Sequence, residues 1–368
     1  MARNIVICCD ATSSDITRDA TNVLRFFRCL ERSDDQIAVY DSGVGTLADP
    51  TQATLLGKSL ARKIDGAIGQ SVRENVCRAY RFLARTYQPG DRIFLFGFSR
   101  GGYTVRALAG MLHLLGLVTP ELSELDRLGW VVFADDHREL PISKRFEAGN
   151  RFKKSFARKD AVRIHFVGAW DTVSSFGWLW QLRTVPFTSN NSSIDHVRHA
   201  VAIDEHRTTF QPNLFRPSKS EQHGSFHQLW FAGAHGDVGG GYPEAENGLS
   251  KISLSWMIAE AAAAGCRFES SQVGRFLGAT GEASQGDTMA PIHCSTVGMW
   301  HVMEMMPRRQ WDHYSKPARM RWFGPNLYRP RRIPEDAVLH ASVHERIARD
   351  PTYRPKNLSL SSLEAGLR

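Results

Sequence analysis

The chain has 368 residues, is 42% hydrophobic and 23% charged, and carries a formal net charge of +8 at pH 7. That length and composition belong to a globular protein able to bury a sizeable core without cross-links, which excludes a disordered or fibrous chain. The modest basic excess suits an anionic lipid surface or another acidic partner and falls short of what a nucleic-acid binder carries. The six cysteines include the adjacent pair Cys8 and Cys9 and no CxxC pair, so neither a zinc site nor a disulfide framework is expected. Synthesis in a reducing, cytoplasmic compartment is the simplest expectation. The apolar stretch within Met1 to Asp10 is too short for a secretory signal. No segment reaches the roughly 18 apolar residues of a membrane-spanning helix; the longest, Ala107 to Val118, is interrupted by His113. Any membrane contact is therefore expected to be peripheral.

Ile5 to Cys9 is a continuous apolar run with β-branched members, as in a strand buried on both faces. After a polar loop, Thr21-Asn22 offers an N-cap for the amphipathic stretch Val23 to Glu31. Gln36 to Tyr40 reads as a second strand. Val72 to Tyr87 has helical apolar spacing and is closed by Pro89-Gly90-Asp91. Arg92 to Phe98 follows as an apolar strand, and Arg100 to Leu117 as a helix. Val162 to Ala169 and Gln228 to Ala234 are later strands, Asp195 to Ala202 is read as helical, and Leu254 to Ala264 is an Ala-rich helix. Alternating strands and helices predict one α/β domain over 1–368, built on a mostly parallel doubly wound sheet. The stretches 119–160 and 268–335 have weak periodicity and are expected to be helical or irregular insertions, acting as a lid.

Between the strand and the helix lies Gly97-Phe98-Ser99-Arg100-Gly101. Glycines two before and two after a serine allow the sharp strand-to-helix turn that projects a nucleophilic hydroxyl. A serine hydroxyl must lose its proton to a neighbouring base, and a helix N-terminus directs N–H groups toward the negative charge that develops. Ser99 is thus the candidate nucleophile. The acid and the base belong after it, on loops at the C-terminal ends of later strands. Asp171 fits the acid, with Asp237 as the alternative. His235 fits the base, and His340, late in the chain, competes with it. The oxyanion hole needs the N–H of Arg100 and one from the loop after an earlier strand, at Ala11 or Thr12. No pattern supports a metal, a nucleotide or any other cofactor.

Several blocks resemble a known group. They are Cys9-Asp10-Ala11-Thr12 with Asn22-Val23-Leu24-Arg25, Tyr40-Asp41-Ser42-Gly43-Val44-Gly45-Thr46, and Gly97 to Gly110. Ala169-Trp170-Asp171-Thr172-Val173, His199 to Arg207 and Trp230 to Tyr242 continue the series. Together they are similar to the uncharacterised α/β-hydrolase domain family of bacteria and fungi that includes phospholipase effectors of type VI secretion. The resemblance implies Ser99, Asp171 and His235 as a triad and ester hydrolysis as the activity, with phospholipids as the substrate class of its secreted members. It also implies export by a signal-independent secretion system and partners in a secretion apparatus and an immunity protein. Ala11 and Ser174 stand where the family usually has glycine.

Val297 to Arg332 interleaves aromatic, methionine and arginine residues, a composition that suits an anionic membrane surface and equally a lid or subdomain packing its aromatics inward. The elbow and its partner candidates point to a serine hydrolase working through an acyl-enzyme, and the resemblance implies a lipolytic, phospholipase A-type one. Two alternatives are an intracellular esterase or thioesterase on soluble acyl substrates and a non-catalytic binding module that retains the fold.

Overall fold

Six consecutive buried residues form the first strand, β1 (Asn4–Cys9), and the rest of the sheet is built outward from it. The computed structural model describes residues 2–11, 20–43, 57–134, 142–173, 185–216, 224–281, 283–298, 300–312 and 319–358. Strands β2 (Gln36–Asp41), β3 (Arg92–Phe98), β4 (Ile164–Trp170), β5 (Ile194–Ala202) and β6 (Ser225–Phe231) follow. A hairpin of β7 (Arg308–Asp312) and β8 (Arg319–Phe323) stands apart, and the short β9 (Val338–Leu339) returns to the sheet. The main sheet has the order β2-β1-β3-β4-β5-β6-β9, and every pairing in it is parallel.

The strand order reverses at β1, which lies between β2 and β3. Open α/β sheets bind ligands in the crevice at such a switch point, beyond the C-terminal strand ends. Asp10 and Ala11 leave β1 there, and Ser99 leaves β3 there.

The helices are α1 (Asn22–Cys29), α2 (Gly57–Thr86), α3 (Arg100–Leu115), α4 (Asp126–Ala134) and α5 (Ile142–Phe156) in the first half. Those of the second half are α6 (His235–Gly239), α7 (Gly248–Ala263), α8 (Ser270–Phe276), α9 (Trp300–Glu304) and α10 (Ala341–Arg349). Thr21 caps α1 as expected, its hydroxyl accepting from Leu24 N at 3.2 Å. On one face of the sheet, Val76, Tyr80 and Leu83 of α2 pack with Leu108 and Leu112 of α3. Trp130 and Phe133 of α4 and Phe152 of α5 belong to the same cluster, so part of 119–160 is core. The other face is covered by Phe26 of α1 and by Leu254, Met257 and Ala261 of α7, packed on Phe96, Phe166 and Trp170. A third cluster joins Trp230, Leu339 and Val343 at the β9 edge.

Residues 195–202, read as helix from the sequence, form strand β5 instead. Ile194, Val197, Ala200 and Val201 recur at helical spacing because this strand carries polar residues inward. Arg198 pairs with Glu260, and His199 Nδ1 meets Gln228 Oε1 at 3.0 Å. Partnered polar groups are tolerated in a buried strand, and they mask its period.

Candidate active site

Ser99 has φ 56° and ψ −119°, a strained backbone for a residue with a Cβ. The flanking glycines make that turn possible. A Cβ on Gly97 would lie 2.4 Å from Gly101 O, and one on Gly101 would lie 2.0 Å from Cys9 O. The turn is tied down by Ser99 N donating to Trp170 O at 3.0 Å and by Tyr103 N donating to Ser99 O at 3.1 Å. The Ser99 hydroxyl makes no capping bond to α3, which removes the simplest structural reason for a serine there.

Asp171 directly follows β4, the neighbour of β3, with φ 34° and its N–H on Ala200 O at 2.7 Å. Its carboxylate is fully buried and accepts four hydrogen bonds. Oδ1 accepts from Ala202 N at 2.9 Å and Arg331 Nη1 at 2.6 Å. Oδ2 accepts from Arg331 Nη2 at 2.9 Å and His235 Nδ1 at 2.5 Å. Burial alone would raise this carboxyl, but Arg331 and His235 outweigh it and hold Asp171 far below the usual carboxylate range.

His235 opens α6, shortly after β6, and its ring lies between Phe98 at 4.5 Å and Phe210 at 4.8 Å between centroids. Phe98 immediately precedes Ser99, so this ring contact ties His235 to the residue before the elbow serine. With Nδ1–H directed to the carboxylate, Nε2 carries the lone pair. Burial lowers the imidazole, and Asp171 offsets only part of that, so His235 is neutral at pH 7. His199 is also buried and neutral, pushed down to about 3 by burial, and accepts from Thr172 N at 3.3 Å.

The other sequence candidates lie elsewhere. Asp237 is not the partner of His235: its Oδ1 meets His293 Nδ1 at 2.6 Å, and its Oδ2 accepts from Ala234 N at 2.9 Å. His340 is the N-cap of α10, bonded to Ser342 and stacked on Phe231 at 4.4 Å toward the β9 edge. Arg100 is the first residue of α3, next to Ser99. Ala11 follows β1, but its N–H donates to Asp10 Oδ1 at 2.7 Å and is engaged in this structure. Asp10 Oδ2 is held by Tyr40 OH at 2.6 Å and Thr21 Oγ1 at 2.5 Å. Thr12 and Ser174 lie outside the described residues. Among the described residues no group of His, Cys, Asp and Glu is arranged to hold a metal ion, and no helix is long and apolar enough to cross a membrane.

Residues 3–260 match the family described as T6SS, Phospholipase effector Tle1-like, catalytic domain, and these are well over half of the chain. The chain belongs to this family. An uncharacterised Saccharomyces cerevisiae protein, YEL023C, is 24% identical over 551 aligned positions, covering 97% of this chain and 80% of that protein. Among solved structures, an uncharacterised Pseudomonas aeruginosa protein is similar at 19% identity and TM-score 0.46, covering 78% of this chain and 50% of that one. The Tle1 effector bound to the VgrG spike from the type 6 secretion system is similar at 18% identity and TM-score 0.35, covering 68% and 53%. The chain thus spans about half the length of these two structures.

Three residues at this site were not singled out by sequence reasoning. Glu205, buried, accepts from His235 N at 3.2 Å and from Ser295 Oγ at 2.8 Å. Burial opposes its ionisation, but the Arg207 pair wins and lowers it to about 2. Arg207 also lies 3.6 Å over the Phe210 ring, which packs on His235. Both residues fall inside a block that carries the family resemblance, which was the available signal. Arg331 falls beyond the matched residues and is one arginine among many in 297–332, so no local pattern marks it.

Proposed function

We propose that this chain is a serine carboxylic-ester hydrolase acting on lipids, a phospholipase A-type effector of type VI secretion, with Ser99, His235 and Asp171 as its triad. The observation that carries the reading is the buried Asp171–His235 hydrogen bond, with the His235 ring packed on Phe98, the residue before a serine held at positive φ on a strand-to-helix turn. His235 Nε2 takes the Ser99 proton as Oγ adds to the ester carbonyl carbon, and the carbonyl oxygen becomes an oxyanion. The N–H of Arg100, the first residue of α3, would donate to that charge. The Ala11 N–H, held by Asp10 Oδ1 in this structure, must be released or shared to serve as the second donor. The intermediate collapses as the alcohol leaves with the His235 proton. Water, deprotonated by His235, then cleaves the acyl-enzyme and restores the Ser99 hydroxyl.

The lipid class is supported by family membership and by the surface of 297–332. Val302, Met305, Trp322 and Leu327 are exposed, alongside the exposed Arg329 and Arg332. Trp300 turns inward instead, onto Phe210 at 5.4 Å, and Phe210 in turn packs on His235. An anionic bilayer is the partner such a mixture fits. As an effector the protein would also engage the secretion apparatus and, in the producing cell, an immunity protein.

The test is fluorophosphonate labelling together with turnover of phospholipid vesicles and short acyl esters, for wild type and Ser99→Ala. Labelling and phospholipid turnover that both vanish in a folded Ser99→Ala protein support the proposal. A wild type that neither labels nor releases fatty acid refutes it. Turnover of short esters alone assigns the protein to soluble acyl substrates.

A further inference from the structure

Arg331 is completely buried, and its guanidinium is spent on the surroundings of Asp171. Nη1 and Nη2 take separate carboxylate oxygens, at 2.6 and 2.9 Å. The remaining bonds go to Ala202 O, at 3.2 Å, and to Phe210 O. Asn357 Nδ2 donates to Arg331 O at 3.0 Å and also to Ile203 O, which fixes the arginine's backbone against the strand end after β5. Stability alone does not explain the pair, because a buried ion pair is commonly no more stabilising than apolar side chains of the same volume. The geometry suggests another reason. Arg331 Nη2 and His235 Nδ1 donate to the same oxygen, Asp171 Oδ2.

We infer that Arg331 is a positioning residue of the hydrolase site, orienting the Asp171 carboxylate toward His235 and offsetting part of its charge. The inference rests on the Asp171–His235 reading above. A bare carboxylate beside an imidazole favours the imidazolium, typically by 1–3 pKa units, and a base that is already protonated cannot accept the Ser99 proton. The guanidinium one oxygen away counters that pull while leaving the hydrogen bond in place. The other charges facing His235 are Glu205, through the His235 N–H, and Arg207; the Arg331 charge also acts on Glu205, an effect that Arg331→Gln removes and Arg331→Lys keeps.

The experiment measures the second-order rate of fluorophosphonate labelling from pH 5 to 9 on the full chain, for wild type, Arg331→Lys and Arg331→Gln, with thermal melts of each. Arg331→Gln should slow the alkaline plateau at least tenfold and move the acid limb up by about one pH unit. Arg331→Lys keeps the charge and loses the paired fork, so its limb should stay in place while its plateau falls several-fold. Unmoved limbs with rates that track only the folded fraction would mean a merely structural role and overturn the inference. If Arg331→Gln does not fold, Arg331→Lys decides: a folded protein with a slowed plateau supports the inference, and one that labels like wild type overturns it. A wild type that never labels at Ser99 removes the hydrolase reading itself, a result distinct from either.

Discussion

Asp171→Asn separates the two roles that the buried carboxylate plays. The substitution keeps the volume and one acceptor oxygen but replaces the other with an NH2 group. If the amide nitrogen takes the Oδ2 position, it faces Arg331 Nη2 and His235 Nδ1; in the Oδ1 position it faces Ala202 N and Arg331 Nη1. Two donors lose their acceptor either way, and the buried Arg331 loses the carboxylate it is paired with. Breaking one side of a buried ion pair costs about 3–5 kcal/mol, a large share of the ~5–15 kcal/mol that holds a domain folded. The reaction suffers separately: an amide nitrogen facing His235 Nδ1 reverses the tautomer, and either orientation removes the charge that stabilises the imidazolium, an effect worth about 10⁴ in rate. Urea unfolding followed by tryptophan fluorescence reads the first loss, and the labelling rate of the folded protein reads the second. The double variant Asp171→Asn with Arg331→Met should recover most of the stability and none of the rate. The pH dependence follows from the same contacts. Burial would raise the Asp171 carboxyl, but Arg331 and His235 outweigh it and depress it in the fold. Its contribution is therefore complete above the unfolded value near ~3.9 and is lost as pH falls below that. A folded Asp171→Asn protein within about 1 kcal/mol of wild type, or labelled within tenfold of it, would refute this account.

Gly101→Ala should abolish labelling and lower the melting temperature sharply, since its Cβ would meet Cys9 backbone 2.0 Å away; a normally labelled variant would mean the turn is looser than described. Burial lowers His235 against the pull of Asp171, so labelling should rise with pH through a value below the ordinary ~6.5 and be flat above neutrality. The same sign makes the contribution of His235 to stability complete at neutral pH and weaker as pH falls, which an acid titration of the melting temperature checks. His340→Ala should label within about twofold of wild type and cost about 1 kcal/mol for the lost α10 cap, whereas His235→Ala should not label. Trp130→Ala should cost about 3–5 kcal/mol in urea unfolding while each folded molecule labels normally, because the indole lies in the core beside α3.

The parts of this protein that follow short-range rules were readable from the chain. Apolar runs gave β1, β3 and β4 because both faces of those strands are covered, and the Gly97–Gly101 spacing marked the elbow because no Cβ fits at either glycine. Strand β5 was misread because Arg198 and His199 are neutralised by partners on α7 and β6, which lie far away in sequence. The α4–α5 segment resisted reading because its apolar residues are divided: Trp130, Phe133 and Phe152 join the core while Leu128, Val131 and Phe146 are exposed. His235 and His340 were separable only in three dimensions, where one reaches Asp171 and the other caps a helix. Arg331 had no local signature at all: its meaning lies in a carboxylate 160 residues earlier.

The thiols offer a practical consequence. Cys8, Cys9, Cys29, Cys77 and Cys266 are all buried, and desolvation raises each of them above the ordinary thiol value. Cys294 alone is exposed, and the next residue, Ser295, is bonded to the Glu205 carboxylate that also holds the His235 backbone. A maleimide dye would therefore attach at one point without engineering. From there it would report, as a change in emission, any shift of the Ser295–Glu205–His235 chain when a ligand arrives.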